Sequence, residues 1–178
     1  MIKILKNSKT ENYKKLKKDI LSPYFPWLYT GTTVENAIET AGFRDMPQYG
    51  HVFISRPEQS GWSQPVSELH EAAAEVVREI LEENGIHREH YIFIRMSANT
   101  TSPNEGVQFS LPHEDHKFPH FNFLTYLTDS GGSTFVMGEE NKPEEDQSII
   151  FTGSHYMQLP KRDRRVVLVA TLMSAVGS

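Results

Sequence analysis

His113, Asp115, His116 and His120 fall within eight residues, and an apolar, strand-like run begins directly behind them. This cluster limits what the chain can become. On an extended backbone, residues i and i+2 project to one side, so His113 and Asp115 converge on one point while Glu114 faces away. An imidazole and a carboxylate from one segment supply half or more of a divalent-metal site. A face of two histidines and one carboxylate with the remaining positions open suits non-haem Fe(II). The missing donor must come from elsewhere in the chain. His155, placed after the short apolar run 149–151 and a Gly153-Ser154 turn, is the candidate.

Nine residues beyond His155, Arg164 opens the most hydrophobic run of the chain. The order H-x-D, YLTD-x-GGSTF, a distal His, then an Arg entering a Val-rich strand resembles the Fe(II)/2-oxoglutarate-dependent oxygenases. The likeness is to the prolyl 4-hydroxylase-like branch, including its small phage and marine-bacterial members, and it covers residues 111–172. The resemblance implies that His113, Asp115 and His155 hold Fe(II) and are the catalytic centre. It implies that Arg164 binds the far carboxylate of 2-oxoglutarate, and that the cosubstrate and O2 complete the site. The implied reaction is hydroxylation of a prolyl residue, in a peptide or protein, or of a small molecule, with release of succinate and CO2. Many relatives add a Tyr contact to the same carboxylate. Here Thr125 stands at that strand position with Tyr126 beside it, so the chain departs from the pattern at the second cosubstrate contact.

At 178 residues the chain is long enough for one well-buried domain and short for two. We therefore expect a single domain over 1–178, with supporting helices and strands over 1–98 and a metal-bearing core over about 99–175. No run of 18 apolar residues exists, so no transmembrane helix is expected. The first residues lack the continuous apolar core of a signal peptide. With no cysteine, disulfides and thiolate metal sites are excluded, and a cytoplasmic location fits (host cytoplasm for a phage-encoded chain). Net charge is −5, yet seven of the 18 basic residues lie in the first 18 positions. Without interleaved aromatics or glycines, this basic stretch reads as a solvated helix with Ile4, Leu5, Tyr13, Leu16 and Ile20 packed inward, not as a nucleic-acid surface.

A Pro- and aromatic-rich segment follows (23–29), then a short helix over 34–41. Residues 51–55 read as a strand and 56–65 as a loop from which Trp62 and Gln64 reach toward a substrate or simply pack. Leu69, Ala72, Ala73, Val76, Val77, Ile80 and Leu81 recur at helical spacing, which predicts a helix over 67–83 with Ser67 as N-cap and Gly85 as stop. Its glutamates form the solvated face. Strands are expected at 91–97, 107–111, 120–128, 134–137, 147–152, 155–159 and 165–173, with 139–146 a solvated acidic loop. Over 91–97, alternation puts Ile92, Ile94 and Met96 on one side and Tyr91, Phe93 and Arg95 on the other. Helices first and many short antiparallel strands afterwards make an α+β chain. A double-stranded β-helix, or jelly-roll, with N-terminal helices in support is the natural closure, and the resemblance implies the same fold.

Three readings compete at the site. His116 and His120 have the H-x-x-x-H spacing of a helical zinc site, but Pro119 between them argues against the helix and leaves them at the rim. A cupin-like metal-dependent hydrolase or isomerase would use His113, Asp115 and His116 on a metal-bound water. A catalytically inactive jelly-roll binding protein would use none of them. The arginines at 162, 164 and 165 are separated only by parity. If Arg164 points into the barrel, Val166, Leu168 and Ala170 share its face and Arg165, Val167 and Val169 face the opposite way. Both faces are apolar, so the nine-residue spacing selects Arg164 on resemblance alone.

Overall fold

The computed structural model describes residues 1–32 and 43–175; the helix expected over 34–41 lies outside them. In chain order the elements are β1 (Lys3–Leu5), α1 (Glu11–Leu21), β2 (Leu28–Thr30), β3 (Gln48–Ser55), α2 (Pro57–Ser60), β4 (Gln64–Pro65), α3 (His70–Glu83), β5 (Tyr91–Thr101), β6 (Phe121–Tyr126), β7 (Thr134–Val136), β8 (Glu139–Asn141), β9 (Ser148–Phe151), β10 (His155–Met157) and β11 (Arg165–Ser174). A major sheet runs β1-β9-β6-β11-β5-β3-β2, with β4 on β3, and a small sheet runs β10-β7-β8. Every pairing between the strands of these sheets is antiparallel. The non-sequential order, in which β11 lies between β5 and β6, is that of the expected jelly-roll.

Two apolar layers separate the functions of the major sheet. On one face Val166, Leu168, Ala170 and Leu172 of β11 join Phe123, Leu127, Met96 and Ala98 against Tyr13, Leu16 and Ile20 of α1 and Ala73, Val76, Val77 and Ile80 of α3. Each fully buried Val, Leu, Ile, Phe or Met side chain among them contributes roughly 1.5–3 kcal/mol. On the other face Leu124, Tyr126, Ile149, Phe151 and Val167 meet Val136 of the small sheet, with Val169 alongside. That second layer is the barrel interior, and it carries the polar site.

Helix α3 starts three residues later than its sequence pattern predicts, and Ala74, not Ala72, completes its buried stripe. Ser67 still acts at its entry: its Oγ accepts from the Leu69 N–H at 3.1 Å and its carbonyl from the His70 N–H at 3.1 Å. Gly85, at φ +76°, ends the helix as expected. Residues 3–5 are a strand rather than helix, since they add to the edge of β9, and Ile4 is exposed. Nor is 139–146 a plain solvated loop. It contains β8, buries Asn141, and brings Asp146 to Tyr13 and Lys17. Three further N-terminal lysines meet acidic groups, Lys6 on Glu83 at 2.7 Å, Lys9 on Asp146 at 3.5 Å and Lys14 on Glu11 at 2.6 Å. Through Lys6, Lys9 and Lys17 the basic stretch is tied to acids of α3 and of the 139–146 segment.

Two irregularities decide which side chains face the interior. Along β11 and β5, Thr171 stands opposite Arg95 but Leu172 opposite Phe93, so Ile94 is an extra residue on β5. Such a bulge reverses the alternation beyond it. Tyr91 and Phe93 therefore share the helix side with Met96 and Ala98, while Arg95, Ser97 and Asn99 face the interior opposite Thr171, Val169 and Val167. The regular alternation expected over 91–97 fails at this point. A matching extra residue, Phe53, interrupts β3 between Val52 and Ile54.

Candidate active site

His113 and His155 meet through a backbone bridge, each N–H donating to the other's carbonyl at 3.0 and 2.9 Å. Residues paired in this way present their side chains together, and the two imidazoles lie with centroids 4.5 Å apart. Asp115, two residues on, points to the same place, with its Oδ2 3.5 Å from His155 Nε2. One donor atom from each of His113, Asp115 and His155 lies within 4.8 Å of the others. The ring orientation is preset. His113 Nδ1 donates to the Leu111 carbonyl at 3.0 Å and His155 Nδ1 to the Gly153 carbonyl at 3.3 Å. A carbonyl accepts only, so the proton of each neutral ring sits on Nδ1 and the Nε2 lone pair is left for an ion.

Electrostatics favour the same state. Burial drives the His155 pKa down to about 4, overcoming the attraction of Asp115, so the ring is neutral near pH 7. For Asp115 burial acts upward, but Arg95, His155, His113 and Arg56 outweigh it and hold the carboxyl below its ordinary range. Two imidazoles that present Nε2 and a carboxylate on one face, with no thiolate, are a donor set that fits Fe(II) or a related divalent ion.

His116 takes no part in this cluster. Its Nδ1 meets Glu58 Oε1 at 2.7 Å and its Nε2 meets Thr171 Oγ1 at 2.8 Å, so both nitrogens are committed. That removes the imidazole on which the hydrolase arrangement of His113, Asp115 and His116 depends. His120 lies beside it with Nδ1 on the Phe118 carbonyl at 2.8 Å and a buried Nε2 that has no hydrogen-bond partner among the described residues. Trp62 is largely exposed in the loop after α2.

The structure separates the two neighbouring arginines expected near the cosubstrate. Arg164 is exposed, with Nη2 3.4 Å from the Leu21 carbonyl, and it is not brought to the interior. Arg165 is 4% exposed and enters the barrel. Its Nη2 donates to Thr134 Oγ1 at 3.1 Å, Nη1 approaches Met157 Sδ at 3.2 Å, and the guanidinium lies 5.2 Å from the Tyr126 ring centroid. The parity expected from Arg164 is thus reversed, because Val166, Leu168 and Ala170 are the residues that cover the helices. Among the described residues no carboxylate pairs with Arg165, and its Nε has no partner. Thr125 faces the helix side, opposite Leu168, and bonds Ser148 Oγ at 2.7 Å. Tyr126 is the inward member of that pair, its hydroxyl on Thr134 Oγ1 at 2.7 Å and within 3.2 Å of Asn141 Nδ2.

The two ends of the site are tied by β10. His155 at one end and Met157, beside Arg165, at the other are two residues apart, about 7 Å of strand. One missed participant is Arg95, whose Nη1 donates to Asp115 Oδ1 at 2.9 Å. Nothing in the local alternation marks it, because the bulge at Ile94 is what turns it inward.

No family model matches the chain, and no curated protein matches it. Solved structures do. A 2OG-Fe(II) oxygenase family oxidoreductase from Burkholderia pseudomallei aligns with a TM-score of 0.68 at 13% identity, over 99% of this chain and 86% of that one. A prolyl hydroxylase from Trichoplax adhaerens, solved with a hypoxia inducible factor oxygen degradation domain peptide fragment, gives 0.60 at 11% identity, over 97% and 83%. The non-heme alpha ketoglutarate dependent epimerase SnoN from nogalamycin biosynthesis gives 0.58 at 11% identity, over 97% and 78%. At such identities the likeness is one of fold: this chain has the double-stranded β-helix fold of the 2OG-Fe(II) oxygenases.

Proposed function

We propose that the protein is a non-haem Fe(II)- and 2-oxoglutarate-dependent dioxygenase built as a single domain over residues 1–178. The observation that carries this reading is the buried, carboxylate-free Arg165 at one end of an interior whose other end holds His113, Asp115 and His155. A buried cation without a counter-charge is costly unless an anion meets it. A short dicarboxylate that chelates an ion at one end and ends in a second carboxylate satisfies both ends at once. His113, Asp115 and His155 would hold Fe(II), which when bound supplies O2 activation and chelation of the α-keto acid. Arg165 replaces Arg164 as the residue that receives the distal carboxylate, through the paired N–H groups of its fork. Tyr126 lies against the guanidinium and offers its hydroxyl, while Thr125 is excluded by its facing. Leu124, Val136, Val167 and Val169 form dry walls that strengthen these charge contacts.

For the primary substrate, the reading keeps a prolyl residue of a peptide first and a small molecule second. The first follows the Trichoplax hydroxylase with its peptide fragment and the second follows SnoN. No helix among the described residues is long and apolar enough to cross a membrane. Anaerobic addition of 2-oxoglutarate to the Fe(II)-loaded protein tests the proposal. A visible charge-transfer band, followed by succinate release on admitting air, is expected. A protein that binds the metal and gives neither signal is a hydrolase-type site, and one that binds neither is a scaffold.

A further inference from the structure

The two oxygens of Asp115 are not equivalent. Oδ2 faces His155 Nε2 at 3.5 Å, whereas Oδ1 accepts from Arg95 Nη1 at 2.9 Å and has Arg56 Nη2 at 3.7 Å. The Arg95–Asp115 pair is well shielded, with side chains 16% and 6% exposed. A charge-assisted hydrogen bond in such a place is strong and holds the carboxylate plane in one orientation. Arg95 reaches it only because the Ile94 bulge reverses β5, a backbone irregularity next to a site that re-aims one side chain.

An unrestrained carboxylate can offer a cation one oxygen or both. If Asp115 used both, it would occupy a position that a chelating α-keto acid needs. We propose that Arg95 is a positioning residue that reserves Oδ1 of Asp115, so that the carboxylate serves as a one-oxygen donor and the coordination positions required by 2-oxoglutarate stay open. The proposal rests on the reading of His113, Asp115 and His155 as a metal site. Arg95 acts through Asp115, the group its Nη1 meets at 2.9 Å. Its guanidinium is the nearer of the two on Oδ1, so its loss is not replaced by Arg56 without movement of that side chain.

Co(II) is a suitable probe, because its visible absorption weakens as its coordination number rises and no turnover is needed to read it. Wild-type protein, Arg95→Met and Arg95→Lys would be titrated with Co(II), then with 2-oxoglutarate without oxygen. For Arg95→Met we expect Co(II) affinity equal to or higher than wild type, weaker visible absorption, and 2-oxoglutarate affinity reduced at least tenfold. Arg95→Lys, which keeps the charge but loses the fork, should fall between, and it carries the test if a thermal melt shows that Arg95→Met does not fold. Loss of Co(II) binding with unchanged 2-oxoglutarate affinity per bound metal would overturn the proposal, showing that Arg95 only holds Asp115 in the fold. Unchanged values for both ligands in both variants would overturn it too. A wild-type protein that takes up no Co(II) brings down the metal reading itself, a result separate from any behaviour of the variants.

Discussion

Arg165 lies over the ring of Tyr126, 5.2 Å from its centroid, in a layer of the barrel interior closed by Thr134 and Met157. The arrangement holds a charge in a dry place with only neutral partners. Its stability cost and its binding value therefore have opposite signs. Replacing Arg165 by Ala should raise the 2-oxoglutarate requirement roughly 30-fold or more, the equivalent of about 2–5 kcal/mol for a buried charge pair. A ligand-free Arg165→Met variant, which keeps most of the side-chain volume, should melt no lower than wild type, since an unpaired buried cation is removed. Arg164→Ala should change neither quantity appreciably. Isothermal titration beside a thermal melt checks both, and a large effect from Arg164→Ala alone would reject the facing assigned to β11.

His113→Ala should reduce divalent-metal affinity by more than the roughly 10–100-fold that loss of an outer contact causes, because it removes a donor atom. The fold should survive, since His113 is bridged to His155 through backbone groups that the substitution leaves in place. Circular dichroism together with Co(II) titration distinguishes the two effects. His116→Ala should leave metal affinity much closer to wild type, as its nitrogens are occupied by Glu58 and Thr171. Equal losses from both histidines would mean that the donor set is misassigned.

What the sequence reveals at this site follows from how local each feature is. His113 and Asp115 converge because of i, i+2 geometry within one segment, and His155 is recognisable from its place after a Gly-Ser turn. The helix stripe of α3 is equally legible, as it depends on spacing alone. Arg165 is hidden because both faces of β11 are apolar, one against the helices and one inside the barrel, so alternation has no polar side to mark. Arg95 is hidden for a different reason. The inserted Ile94 changes the period within a strand, and only pairing with β11 shows where it falls. The pairing of Asp146 with Lys17 likewise joins residues from opposite ends of the chain, beyond any local pattern.

The metal-free protein should lose stability between pH 6.5 and about 4. Burial lowers the His155 pKa to about 4, while the unfolded chain protonates the same ring near 6.5. In that window the unfolded state binds more protons, so stability rises with pH and is progressively lost on acidification. Asp115 acts in the same direction at lower pH, because its folded pKa lies below that of the unfolded chain. Melting temperatures of metal-free wild type and His155→Asn across pH 4 to 7 provide the comparison. The variant should show the shallower slope, and parallel curves would contradict the assignment of a buried neutral imidazole.

The turn before β7 offers a contrast between adjacent glycines. Gly131 and Gly132 both have left-handed backbones, at φ +71° and +86°. A Cβ at Gly131 would meet nothing within 4 Å, whereas one at Gly132 would come within 2.5 Å of the Gln158 carbonyl oxygen and 3.1 Å of the Leu159 carbonyl carbon. Gly131→Ala thus carries only the conformational cost of a left-handed residue, about 1–2 kcal/mol. Gly132→Ala carries the same cost plus a collision with backbone that cannot rotate away. The segment it would displace, 158–160, follows directly on β10, so the disturbance reaches the neighbouring Met157 and the wall beside Arg165. Gly132→Ala should lower the melting temperature clearly more than Gly131→Ala and should also weaken 2-oxoglutarate binding, which Gly131→Ala should leave intact. Equal melting temperatures for the two variants would show that the approach of Gly132 to the 158–159 backbone does not constrain the fold.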